Sequence, residues 1–180
     1  HINQEEIGIL KEYGVKISHN PASNLKLGSG IAPIATYVEH GLRPAIGTDS
    51  AASNNNLDMF EEVRLAALIH KGAQQDPTLI PAETALKMGT SWGAEAVFLE
   101  HTGQLAIGKK ADFMIINAHQ AHLQPVSNPI SHLIYSASGH DVEDVYIDGK
   151  QVVKQGECLY LDEEKIIFEA NQAFAALEKH

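Results

Sequence analysis

The sequence has almost no cysteine: Cys158 is the single one in 180 residues. That excludes an internal disulfide framework and suits a reducing, cytoplasmic compartment. Basic charge is also scarce, with 13 Lys and Arg against 23 Asp and Glu and a formal net charge of −10. Without a basic block, nucleic-acid backbones and anionic membranes are poor partners on electrostatic grounds. No apolar run approaches the ~20 residues of a membrane-spanning helix, and no signal-peptide pattern opens the sequence. Internal repeats and low-complexity tracts are missing too. What remains, at 44% hydrophobic residues, suffices for one domain with a core or for part of a larger one. An initial Met is also lacking. The sequence opens at His1, and a helix signal follows at once: Asn3 as N-cap, Glu6 three residues on, and Ile2 with Ile7 as a hydrophobic staple. Native chains rarely open in mid-element, so the expectation is a fragment of a longer polypeptide.

The stretch around which the chain is organised is Gly47-Thr48-Asp49-Ser50-Ala51-Ala52-Ser53-Asn54-Asn55-Asn56. The apolar run Pro44-Ala45-Ile46 leads into it as a buried strand. The chain then presents one carboxylate, Asp49, and breaks into small polar residues. Asn56 is placed to cap the following helix, with Asp58, Glu61 and Glu62 at its positive end. Strand, carboxylate, polar loop and helix is the order found at the C-terminal rim of a (β/α) barrel, where such enzymes keep their chemistry. A loop Asp also serves as cap or turn residue, and position alone leaves both readings open.

In chain order, residues 4–13 read as a helix stopped by Gly14, and Val15 to His19 as a short strand ending in a His. Residues 20–24 read as a turn-rich loop, and residues 31–40 as a second helix closed by Gly41. The strongest helix is expected over 57–72, with Met59, Phe60, Val63, Ala66, Ala67 and Ile69 as its apolar face. Shorter ones follow at about 81–88 and 91–98. Near residue 100 the character changes. Segments 112–116 and 144–147 are strand-like, and Asp148-Gly149 turns into Gln151-Val152-Val153. A last helix is expected at about 163–178, carrying Ile166, Ile167, Ala170, Phe174 and Leu177. Alternating elements in the first part predict parallel α/β units.

These residues add up to a family pattern. His19-Asn20-Pro21-Ala22-Ser23-Asn24-Leu25-Lys26-Leu27-Gly28-Ser29-Gly30, with Gly47-Thr48-Asp49 and Ser53-Asn54-Asn55, resembles the amidohydrolase superfamily. The methylthioadenosine/S-adenosylhomocysteine deaminases match best, and share ground with triazine chlorohydrolases and guanine deaminases. Gly103-Gln104-Leu105 through Asp112-Phe113, and Tyr135 through Val142 with Asp148-Gly149-Lys150, resemble the segments of that family's β-sandwich. Ser50 departs from the pattern, because many relatives have Gly there, and is expected to reshape the pocket slightly.

The resemblance implies an α/β fold: the C-terminal part of a metal-dependent TIM-type (β/α)8 barrel over residues 1–100, part of a small β-sandwich over 101–160, and a terminal helix over 161–180. It implies a hydrolase that deaminates adenosine-type nucleosides to inosine analogues and ammonia, homo-oligomeric at full length. The cofactor would be a divalent metal, first of all Zn²⁺, with iron or another divalent ion as alternatives. Asp49 would be metal ligand and catalytic proton carrier, with His19, Ser53 and Asn54 near the substrate. Ser23 and Asn24 would organise their loop. The family's remaining metal ligands and its Glu acid fall upstream, so this chain alone is expected to be inactive. The rivals are a chlorohydrolase or guanine deaminase on the same scaffold, and an inactive structural module.

Other motifs carry less. His119-Gln120-Ala121-His122 is a loop pair with chelating spacing but no further ligand nearby in sequence. Gly89-Thr90-Ser91-Trp92-Gly93 has the letters of a nucleophile elbow but lies between two helices, whereas that motif follows a strand. The Pro-Cys-x-x-Cys class of zinc deaminases cannot be built with one cysteine.

Overall fold

The computed structural model describes residues 2–177. Its first part runs α1 (Gln4–Glu12), β1 (Ser18–His19), α2 (Pro21–Lys26), α3 (Ile34–Glu39), β2 (Ala45–Ile46), α4 (Ala51–Asn54), α5 (Met59–Gln74), α6 (Ala82–Gly89) and α7 (Ser91–Ala96). The second part runs β3 (Phe113–Ile116), α8 (Pro129–Tyr135), β4 (Val142–Ile147), β5 (Lys150–Lys154), β6 (Glu157–Cys158) and α9 (Glu163–Leu177). The chain is an α/β protein.

Local chemistry accounts for the start. The Asn3 side chain accepts from Glu6 N–H at 3.0 Å while the Glu6 carboxylate accepts from Asn3 N–H at 2.7 Å, which closes the expected capping box. Strands β1 and β2 pair in parallel, Ser18 opposite Ala45 and His19 opposite Ile46. Parallel strands need a crossover, and α2 and α3 supply it. The pairing continues past the strands, because Gly47 N–H donates to His19 O at 3.0 Å. Both strands therefore end side by side, and the loops that leave them meet.

Behind the pair lies one core, in which Ile46, Val63, Ala66, Ala67, Ala85, Met88 and Ile134 pack together. The alanines keep α5, α6 and β2 close. Helix α5 buries Val63, Ala66 and Ala67 as its period requires, but Met59 is exposed and the buried stripe also takes Glu62 and His70. Positions 62, 66 and 70 recur every four residues and so share one face, whatever their polarity.

Three local expectations are corrected. Residues 20–24 are not a free loop: Pro21 occupies the first turn of α2, where its missing N–H costs nothing. The polar stretch after Asp49 contains the helical turn α4. The N-cap of α5 is Asp58, which accepts from Phe60 N–H at 2.7 Å, while Asn56 accepts from Asp58 N–H at 2.9 Å one step earlier.

In the second part, β3-β4-β5-β6 form an antiparallel sheet in that order. Asp148 and Gly149 have φ of 51° and 76°, the left-handed pair that a two-residue hairpin turn requires. Phe113 stacks on Tyr146 across β3 and β4 at 4.6 Å between ring centroids. Helix α8 had no reading in the sequence. It is capped by Asn128, which accepts from Ser131 N–H at 3.0 Å, and sends Ile134 into the first core. Arg64 of α5 fixes its end by donating to Ile134 O at 3.1 Å and to Ala137 O. The apolar side chains of α9 lie outward, with Phe174 62% and Leu177 74% exposed. The expected end of that helix at 178 lies outside the described residues. Among the described residues no helix is long and apolar enough to cross a membrane.

Candidate functional site

The site forms where β1 and β2 end. Gly47 makes the meeting possible: a Cβ there would lie 2.7 Å from the Asn20 carboxamide and 2.9 Å from Ser18 Oγ. Asn20 fills that space. With its amide nitrogen oriented by the acceptors around it, the side chain donates to His19 O and Gly47 O, both at 3.1 Å, and so ties the two strand ends together.

Asp49 follows two residues later with φ of 61°, a left-handed backbone that Asp tolerates better than most side chains. Its carboxylate is held on both oxygens. Ser23 Oγ donates to Oδ2 at 2.7 Å and Ser50 N–H donates to Oδ1 at 2.7 Å. The Ser23 hydroxyl, then the Ser50 amide, hold the Asp49 pKa below the usual carboxylate value. The Ser53 hydroxyl adds less, being turned towards Ser50, with Ser50 Oγ at 3.1 Å and Ser50 O at 3.2 Å. Asp49 is exposed and ionised at neutral pH, a fixed acceptor facing outward. Asn24, expected to organise the loop with Ser23, donates its N–H to Asn20 O at 3.0 Å.

The other sequence candidates are placed differently. Asn54 uses both amide hydrogens inside the protein, donating to Thr48 O and to Glu62 Oε1, each at 2.6 Å. Only its Oδ1 is left for any other partner. His19 is 2% exposed, with its ring 5.4 Å from that of His70. All four ring nitrogens of this pair are buried without a hydrogen-bond partner among the described residues. Burial, then the neighbouring His70, lowers the His19 pKa to about 4. His122 Nε2 donates to the Asp141 carboxylate at 3.1 Å. Ser91 opens α7 directly after α6, with no strand before it. His1 and His180 lie outside the described residues. The residues that sequence reasoning missed are Glu62, Asn20 and His70. Glu62 was read as a helix-end charge but is 1% exposed.

The His19 pKa makes stability depend on pH. Unfolded His19 binds a proton below about 6.5, whereas folded His19 stays neutral down to about 4. The unfolded state therefore binds more protons across that window, and folding stability falls as pH drops from 6.5 towards 4. The expected loss is on the order of 3 kcal/mol at the bottom of the window. Urea midpoints at pH 7 and 5 check this, with His19→Gln expected to flatten the difference.

As to a metal, no three His, Cys, Asp or Glu side chains converge among the described residues. Asp49 offers one carboxylate, and a zinc centre takes three or four protein ligands. The described residues do not by themselves make a metal site.

Over residues 1–152 the sequence matches the amidohydrolase family. The chain belongs to that family. It is 51% identical over 179 residues to the 5-methylthioadenosine/S-adenosylhomocysteine deaminase of Bacillus cereus strain G9842, covering 99% of this chain and 41% of that protein. Among solved structures, this amidohydrolase chain superimposes on a zinc-bound adenosine deaminase from Xanthomonas campestris with a TM-score of 0.96 at 37% identity, covering 100% of this chain and 41% of that one. It also superimposes on an atrazine chlorohydrolase from Arthrobacter aurescens TC1 complexed with zinc, at a TM-score of 0.89 and 28% identity, over 96% of this chain and 38% of the other. The chain thus spans about two fifths of the length of the relatives it matches, 41% in the first case.

Proposed function

We propose that this chain is the C-terminal part of a longer amidohydrolase that hydrolytically deaminates adenosine-type nucleosides, methylthioadenosine and S-adenosylhomocysteine first, to inosine analogues and ammonia. One observation carries the reading: an ionised Asp49, gripped on both oxygens, sits where two parallel strands end, in a chain 51% identical to such a deaminase. A carboxylate so placed takes a proton from an attacking water and returns it to the departing amine. One oxygen of Asp49 carries that proton, and the Ser23 hydroxyl and Ser50 amide keep the group poised and oriented. A divalent ion, zinc before iron or another, would use Asp49 as one ligand and draw the rest from residues beyond these 180. Ser53 and the Oδ1 of Asn54 would border the nucleoside, with His19 behind them.

In the same reading, residues 1–100 are the last part of a (β/α)8 barrel with β1 and β2 as its final strands. Residues 101–160 belong to a β-sandwich, and 161–180 form a terminal helix. The parallel pair and the antiparallel sheet support the division; α8 departs from it by packing on the first core. A cytoplasmic, homo-oligomeric enzyme completes the proposal, the location supported by the lone Cys158 and the assembly by the resemblance alone.

The likeness to a zinc-complexed chlorohydrolase supports a second reading, chloride displacement from a triazine on the same scaffold. Guanine deamination is a further rival. The test supplies metal-loaded full-length enzyme with methylthioadenosine, S-adenosylhomocysteine, adenosine, guanine and a chlorotriazine, and measures ammonia and chloride. Ammonia from the adenosine compounds is expected. A site built around hydrogen bonds to ring nitrogens rejects analogues lacking them by large factors. Release from guanine or the chlorotriazine alone would place the enzyme on a rival branch.

A further inference from the structure

We infer that Glu62 is a positioning residue for Asp49, clamping together the two loops that hold it. The inference rests on the reading of Asp49 as the proton carrier. Glu62 lies inside, 1% exposed, on the buried face of α5. Its two oxygens serve different loops: Oε2 accepts from Ala22 N–H at 3.2 Å and Oε1 accepts from Asn54 Nδ2 at 2.6 Å. Each contact lies next to a residue of the site. Ala22 precedes Ser23, whose hydroxyl donates to Asp49 Oδ2 at 2.7 Å. Asn54 gives its second hydrogen to Thr48 O at 2.6 Å, on the residue before Asp49. The contacts close a ring: Glu62, Ala22 and Ser23, Asp49 and Thr48, Asn54, and Glu62 again.

A buried carboxylate needs such an explanation. At this position of α5 an apolar side chain would continue the stripe of Val63, Ala66 and Ala67 without the cost of desolvating an acid. An aliphatic residue, however, has no acceptor for either loop. A carboxylate is the one common side chain whose two acceptor oxygens face two separate donors at once. Neither oxygen points at solvent, so Glu62 acts through Ala22 and Asn54 and not on substrate.

The conservative break is Glu62→Gln, which has one acceptor oxygen and therefore keeps only one arm. In the full-length enzyme, kcat is expected to fall by roughly 10- to 100-fold through misplacement of Asp49, with KM nearly unchanged. Amide exchange should quicken at Ala22 and Ser50 while Gly47, in the strand pairing, stays protected. Asn54→Ala opens the same ring at its outer side. It should reproduce the loss of kcat and the faster exchange, with KM also rising because Asn54 Oδ1 borders the nucleoside, and the double variant should be no worse in exchange than the worse single one. If Glu62→Gln does not fold, Asn54→Ala decides by amide exchange at Ala22 and Ser50 measured against Gly47. In an Asp49→Asn background Glu62→Gln should add nothing.

Wild-type kcat and unchanged exchange at Ser50 in folded Glu62→Gln, with Asp49→Asn inactive, would overturn the clamp. Full activity of Asp49→Asn would instead remove the catalytic reading of Asp49. The exchange at Ser50 and Ala22 would then still report whether Glu62 holds the loops.

Discussion

Asp49→Asn in the full-length enzyme is expected to lower kcat by about a thousandfold, within the range general acid–base groups contribute. The substitution removes charge and basicity and little else. Asn tolerates the left-handed backbone at φ of 61°, so the loop is not forced to move. Its carbonyl oxygen still accepts from Ser50 N–H, and the Ser23 hydroxyl can rotate to accept from the new amide. The unfolding midpoint should therefore match wild type, and steady-state rates with a thermal melt check both halves of the expectation. Ser91→Ala is the control, and its rate should be unchanged, because Ser91 begins α7 with no strand to present it as a nucleophile. A wild-type rate for Asp49→Asn at equal metal content would reduce Asp49 to a loop acceptor.

What the sequence disclosed about this site follows the range of the interactions. The Asn3–Glu6 capping box and the Asp148-Gly149 turn are decided within four residues, and both were readable. Asp49 was readable because a strand, a carboxylate and a helix follow one another along the chain. Glu62 was not. Its partners Ala22 and Asn54 lie 40 and 8 residues away, and a Glu in the first turn of a helix is ordinarily a solvated charge suiting the dipole. Only the tertiary arrangement turns it inward. The same cause narrows Asn54: beside Asp49 in sequence it reads as a substrate contact, and with its amide hydrogens spent on Thr48 and Glu62 only Oδ1 is left for that role. Helix α8 was hidden differently. Seven residues with Ile130, Leu133, Ile134 and Tyr135 as their apolar positions give too short a period to read, and α8 is held by Arg64 from 70 residues upstream.

The 180-residue chain on its own is expected to bind less than one equivalent of zinc and to release no ammonia from methylthioadenosine. Zinc in a catalytic site takes three protein ligands and an open position for water. Here no three candidate side chains converge among the described residues, around Asp49 or elsewhere. Three of the described histidines are committed elsewhere. His19 and His70 are buried against each other, and His122 is committed to Asp141 at 3.1 Å. Without a general acid, even a loosely held ion would lack the partner that protonates the ring. Holding reactants and catalytic groups together accounts for a large share of such a barrier, and one isolated carboxylate holds neither. Zinc content by elemental analysis and an ammonia assay on the mass-verified chain make the check. One zinc per chain, or turnover near that of the full-length enzyme, would show that these residues assemble a centre of their own and would remove the case for ligands beyond them.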